Sequence, residues 1–238
     1  MRPAALLATV VSAVCAAALL AGCVSPAPAP ATSSPPLSTA TATATASPVS
    51  SPAATVPAGW KTFTTSDGTL AFDYPESWTV KDPADEPAEG GIAVSLVSDS
   101  GKTMATLRTN MVTGAECPVK FPFMVYDAEP VPALAQGGLT PRFVYEGRTG
   151  PASEDPAGSL SLAFGITSGP EPTGDTACPI FQFFTWPPSG AMFGGVYDPF
   201  DTAPGGPTNV DTPEAYMDTT EYKNVKQAIT SLRPAGKP

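Results

Sequence analysis

Cys23 stands where an apolar run ending in Leu20-Ala21-Gly22 meets a proline-rich one beginning Val24-Ser25-Pro26, while Cys117 and Cys178 stand alone far down the chain. A thiol serves as nucleophile, redox group, disulfide partner or attachment point, and spacing separates these uses. No CxxC pair occurs, and the 238 residues include no histidine. That composition removes Ser-His-Asp and Cys-His nucleophile systems, histidine zinc sites and the side chain best suited to proton transfer near neutrality. The 22 acidic residues leave hydrolysis by paired carboxylates open in principle. No spacing picks out such a pair, and there is no phosphate-cradling loop, nucleophile elbow or Ser-Lys motif, so no catalytic or cofactor-binding residue is assigned. "DPADEPAEGG" concentrates Asp82, Asp85, Glu86 and Glu89, and "YDPFDTAPGGP" holds Asp198 and Asp201. Oxygen-rich loops bind calcium, but prolines interrupt these and ligand spacing is irregular, so both read as solvated loops and no metal site is expected.

The elements that carry Cys23 are the most legible. Arg2 gives a positive start, Ala4 to Ala21 is almost wholly apolar, and nothing charged occurs between Arg2 and Lys61. A stable transmembrane span is usually anchored on both flanks, so the layout favours a secretory signal. Leu20-Ala21-Gly22-Cys23 resembles the bacterial lipobox. The resemblance implies a signal peptide over residues 1–22, diacylglycerol attached to Cys23, and a chain held by lipid on the extracytoplasmic face of the cell membrane. Two acyl chains anchor stably where one binds only reversibly. Cys15 falls inside the segment to be removed.

Apart from Cys23, residues 23–58 are mostly Ser, Thr, Ala and Pro with no charge and no aromatic side chain, too little to offset the entropy of ordering. Proline biases such a tether to polyproline II, about 35 residues at roughly 3.1 Å each, or about 100 Å at full stretch. Its composition also suits O-glycosylation. Residues 59–238 are then one globular domain. A net charge of −10 repels phosphate backbones, so no nucleic-acid partner is expected. Two leftover cysteines in an exported domain predict a Cys117–Cys178 disulfide.

Alternation in "WKTFTTSDGTLAFDYPESWTVKD" predicts a hairpin turning at Ser66-Asp67-Gly68 and a third strand. "GIAVSLVSDSGKTMATLRTNMV" predicts two more, with Ile92, Val94 and Leu96 on one face. Further strands are expected at Arg142–Arg148, Ser159–Thr167, Ile180–Trp186 and Ala191–Val196. Tyr222, Val225, Ile229 and Leu232 recur at helical spacing, with Asp218 and Glu221 placed as a capping box. A shorter helix is expected from Asp211. The fold class is α+β, a mostly antiparallel sheet of about 7–8 strands packed by a C-terminal helix.

"LAFDYPESWTV", through Phe72, Tyr74, Pro75, Trp78 and Val80, together with a last helix carrying Tyr222, Ile229 and Leu232, resembles the Mog1/PsbP-like group, including the LpqN-like lipoproteins of actinobacteria. The resemblance implies a last helix packed on an antiparallel sheet and says little about function, since that group's members are accessory, partner-binding or uncharacterised proteins. "CPIFQFFTWPP" puts Phe181 and Phe183 on one strand face and Phe184 and Trp186 on the other. Core burial under the helix accounts for them; the alternative makes Phe184 and Trp186 a binding face for a lipid, glycan or envelope protein. The expected function is a membrane-anchored lipoprotein with a non-catalytic binding or accessory role. The rivals are a surface-anchored carboxylate hydrolase and a cell-wall interaction module.

Overall fold

The computed structural model describes residues 56–82, 90–114, 116–150, 160–199 and 212–236. The chain divides into two units, Met1–Ser51 and Pro52–Pro238, and every described residue belongs to the second. Strands β1 (Trp60–Thr64) and β2 (Leu70–Pro75) form the expected hairpin. Its turn closes through the Thr65 amide on the Leu70 carbonyl at 2.9 Å. Gly68 there has φ +67, which a residue without Cβ adopts at no steric cost. The chain then runs through β3 (Thr79–Lys81), β4 (Ala93–Val97), β5 (Thr103–Met111), β6 (Phe121–Pro130), β7 (Arg142–Thr149), β8 (Leu160–Thr167), β9 (Thr176–Ala177), β10 (Phe184–Trp186) and β11 (Ser189–Tyr197). Helices α1 (Pro213–Met217) and α2 (Thr220–Thr230) follow, then β12 (Arg233–Pro234).

All the strand pairs are antiparallel. One sheet has the order β1-β2-β12; the larger runs β3-β4-β5-β11-β8-β7-β6-β9, with β10 paired to β11. The described residues therefore hold twelve strand segments in two sheets rather than 7–8 in one, within the expected α+β, mostly antiparallel class. Period-two alternation sorts the central strands cleanly. Phe143 and Tyr145 of β7, Leu162, Phe164 and Ile166 of β8, and Phe193 and Tyr197 of β11 are buried with Tyr222, Val225, Ala228 and Ile229 of α2. Leu70 and Phe72 of β2 join them, Phe72 lying 4.8 Å from the Phe193 ring. Each such side chain contributes about 1.5–3 kcal/mol by leaving water.

Both helix starts lie one residue later than expected where they can be compared. Thr219, not Asp218, caps α2, its hydroxyl accepting from the Tyr222 amide at 3.0 Å. Asp218 ends α1 instead, and Glu221 accepts from the Tyr216 phenol at 2.9 Å. Thr212 caps α1 through the Ala215 amide, with Pro213 at its first position; Asp211 lies outside the described residues. Two strand readings change. The ten-residue β6 is absent from the sequence reading, and it carries prolines at 122 and 130 and a bulge between Val125 and Asp127 that breaks its alternation. Only Phe184–Trp186 of the expected Ile180–Trp186 strand pairs; the residues before it run irregularly across the sheet.

Candidate functional site

The outward face of β7 presents Arg142, Val144, Glu146 and Arg148, the residues alternate to its core positions. Register sets Glu146 beside Ala163, and Ala163 beside Val196; Val144, Gly165 and Gly194 form the next row. A free sheet face with these residues would be solvated. Here residues 168–183 cross it as a strap, held by named polar contacts. Arg142 donates to the carbonyls of Gly169 and Pro170. Arg148 donates from Nε to the Cys178 carbonyl at 2.6 Å, from Nη1 to Gly147 at 3.0 Å and from Nη2 to Glu146 at 2.9 Å. Gln182 donates to Glu146 Oε1 at 3.1 Å and to the Val144 carbonyl at 3.2 Å. A Cβ at Gly165 would meet Gln182 Oε1 at 2.8 Å, so glycine is what lets the strap lie this low.

The Cys117–Cys178 disulfide fixes the strap covalently to the chain entering β6, its Cα atoms 5.4 Å apart. β9, inside the strap, pairs Ala177 with Phe121. The Glu146–Arg148 pair beneath is buried on both sides, and losing either partner would strand the other charge in a desolvated site. Both Glu146 oxygens are hydrogen-bonded, one to Arg148 and one to Gln182. All three Arg148 nitrogens are likewise used. These groups are braces, already satisfied in the resting protein.

Two hollows open beside the strap. A cleft of about 350 Å³ is lined by the charged Lys120, Arg142, Glu146, Arg148 and Glu171 and by Phe181, among others. Through Arg148 and Pro179, which line both, it adjoins a largely apolar groove of about 330 Å³ walled by Phe121, Ser161, Ala163, Ile180 and Val196. That groove shares Ala163, Ile180 and Val196 with a further hollow of about 190 Å³ reaching Phe183 and Met192. Val196 is 75% exposed and Phe181 43%.

On the opposite face lies a tyrosine cluster. Tyr197 and Tyr216 stack in parallel with centroids 3.7 Å apart, and Tyr145 lies 5.3 Å from Tyr222. Burial raises the Tyr145, Tyr216 and Tyr222 phenols far above their ordinary range, with Glu221 adding to the effect at Tyr216 and a hydrogen bond to Asp127 at Tyr222. At the cluster's edge burial works against the Lys226 charge, but bonds to Asp127 and Glu129 outweigh it and raise its pKa. The phenols stay neutral, so they pack, Tyr216 and Tyr222 donate hydrogen bonds, and none exchanges protons near neutrality.

Of the residues singled out in the sequence, Cys117 and Cys178 are joined as expected. Cys23 lies outside the described residues, as do Asp85, Glu86, Glu89 and Asp201. Among the described residues no group of three His, Cys, Asp or Glu side chains could hold a metal, and no helix is long and apolar enough to cross a membrane. Phe184 and Trp186 do not form a shared surface. Phe184 is 1% exposed, because its side of β10 faces the core, and Trp186 is half-buried beside Leu134, Gln136 and Pro187. The exposed ring is Phe181, on the other side of the chain. Arg142, Glu146, Arg148 and Gln182 went unread as site residues. Their signal was the charged, period-two half of "RFVYEGR", indistinguishable from a solvated face until a covering segment is placed on it.

No protein-family model matches the chain, and no curated protein does. Among solved structures it is similar to the solution structure of cyanobacterial PsbP (CyanoP) from Synechocystis sp. PCC 6803, at 12% identity and a TM-score of 0.34, covering 79% of this chain and 99% of that one. A superposition this loose transfers no site and no role, and the architecture stands on its own strand order.

Proposed function

We propose that this chain is a bacterial envelope lipoprotein, acylated at Cys23 and tethered by residues 23–58, whose α+β domain is a Mog1/PsbP-like module with a non-catalytic binding or accessory role on the extracytoplasmic face. The observation that carries the binding role is the strap. Polar braces and a disulfide hold residues 168–183 over the sheet so that hollows of about 350 and 330 Å³ stand open beside it. Concave, largely preformed sites with a few placed polar groups are what ligand binding uses. Of the two carboxylates in the cleft wall, Glu146 already has both oxygens engaged and Glu171 is largely exposed beside Arg142, which weighs against the hydrolase reading. Anchoring rests on Leu20-Ala21-Gly22-Cys23 behind a charged, apolar start, and a disulfide suits an exported domain.

The anchor is tested by Cys23→Ala in the full chain expressed in a bacterial host. The wild type should partition into detergent on phase separation and take up labelled acyl groups, and the variant should take up none. Acyl labelling of Cys23→Ala equal to that of the wild type would refute the anchor.

A further inference from the structure

We infer that the apolar groove between the strap and the outward face of β8 and β11 holds the alkyl chain of a single-chain amphiphile whose carboxylate sits at Lys120. This assignment rests on the binding role proposed above and names the ligand class. The groove floor is Ala163, with Phe121, Ile180 and Val196 around it and Ser161 at its edge, and it continues to Met192. β8 and β11 are interior strands, each hydrogen-bonded on both sides. An incoming peptide therefore finds no free strand edge there, and its own amides would be buried without partners at a cost comparable to lost hydrogen bonds. An alkyl chain carries no such groups, and its burial is favourable methylene by methylene.

The polar end specifies the headgroup. At the Arg148 and Pro179 neck the groove meets the cleft that holds Lys120, Arg142 and Arg148. Arg148 is spent on Glu146 and two carbonyls, and Arg142 on two carbonyls and Glu171 at 3.9 Å. Among the described residues the exposed Lys120 has no hydrogen-bond or ion-pair partner, and it directly precedes Phe121 of the groove wall. The Lys120 ammonium beside an apolar channel matches a single negative charge on an alkyl tail, a local complementarity that works against the chain's overall negative charge.

The test uses the full chain carrying Cys23→Ala, purified oxidised and without detergent, and titrates octanoate, decanoate and dodecanoate against a fluorescent fatty acid. Affinity should rise about ten-fold from each acid to the next as methylenes are buried. Lys120→Gln should weaken dodecanoate about ten-fold and leave dodecanol unchanged. Ala163→Leu, which fills the floor, should abolish displacement. If that variant loses cooperative unfolding, Val196→Ser at its exposed position should weaken dodecanoate several-fold. Affinity independent of chain length, dodecanol competing as well as dodecanoate against wild type, or groove variants that bind unchanged would each overturn the assignment. Acyl labelling of the wild type reads the anchor separately, so failure to bind alkyl carboxylate leaves that part of the proposed function standing.

Discussion

Tyr145 and Tyr222 show how one side-chain type bears opposite energetic signs in one cluster. The Tyr145 phenol is fully buried with no hydrogen-bond partner among the described residues, whereas Tyr222 donates to Asp127 at 2.8 Å. An unmet buried hydroxyl costs about 1–3 kcal/mol, and a hydrogen bond to a charged group is worth about 1.5–3 kcal/mol. Tyr145→Phe should therefore stabilise the domain by about 1 kcal/mol, and Tyr222→Phe should destabilise it by about 2 kcal/mol. Urea midpoints at unchanged slope read both, and a destabilised Tyr145→Phe would mean that the phenol has a partner after all. The aromatic run near Cys178 carries the same lesson about legibility. Alternation presumed a strand from Ile180, whereas only Phe184–Trp186 pairs, and which of Phe181 and Phe184 faced water depended on a sheet assembled from strands far apart in sequence.

Elements with their own periodic signal were readable, and those shaped by neighbours were not. The Tyr222, Val225, Ile229 stripe located α2 because 3.6-residue spacing is a property of the segment alone. Its cap was misplaced by one residue, since Asp218 and Thr219 are both good N-caps and only the backbone turn between α1 and α2 decides which is used. Thr219→Ala should cost about 1 kcal/mol, while Asp218→Ala stays within about 0.5 kcal/mol. Thermal melts of the two variants distinguish them, and equal losses would restore the capping box. β6 was invisible for a different reason. Its bulge and its flanking prolines erase the period-two pattern, so its ten residues look like loop until β7 pairs with them.

At the scale of the whole molecule, the strap makes a two-layer fold into one with a covered outer face, and the disulfide is its one covalent tie. Closing a loop across a sequence separation of 61 should contribute roughly 4 kcal/mol in the chain-entropy picture. Cys117→Ser with Cys178→Ser should lower stability by about 2–4 kcal/mol and speed amide exchange in residues 168–183 more than in α2. Uniform exchange acceleration would show that the bridge braces the whole core and not the strap. The class, the hairpin, the helices and the disulfide were legible from local pattern and composition. The site was not, because its braces, Arg142 and Arg148, and the carbonyls they hold, lie about 30 residues apart and meet only when the sheet is built. The irregularity that hid β6 has a further effect. Among the described residues β6 is unpaired beyond Pro122 on its outer side, and a long flat edge of that kind templates the next chain. Its kink and terminal prolines spoil that template, so copies brought close together would slide past one another without stitching into fibres.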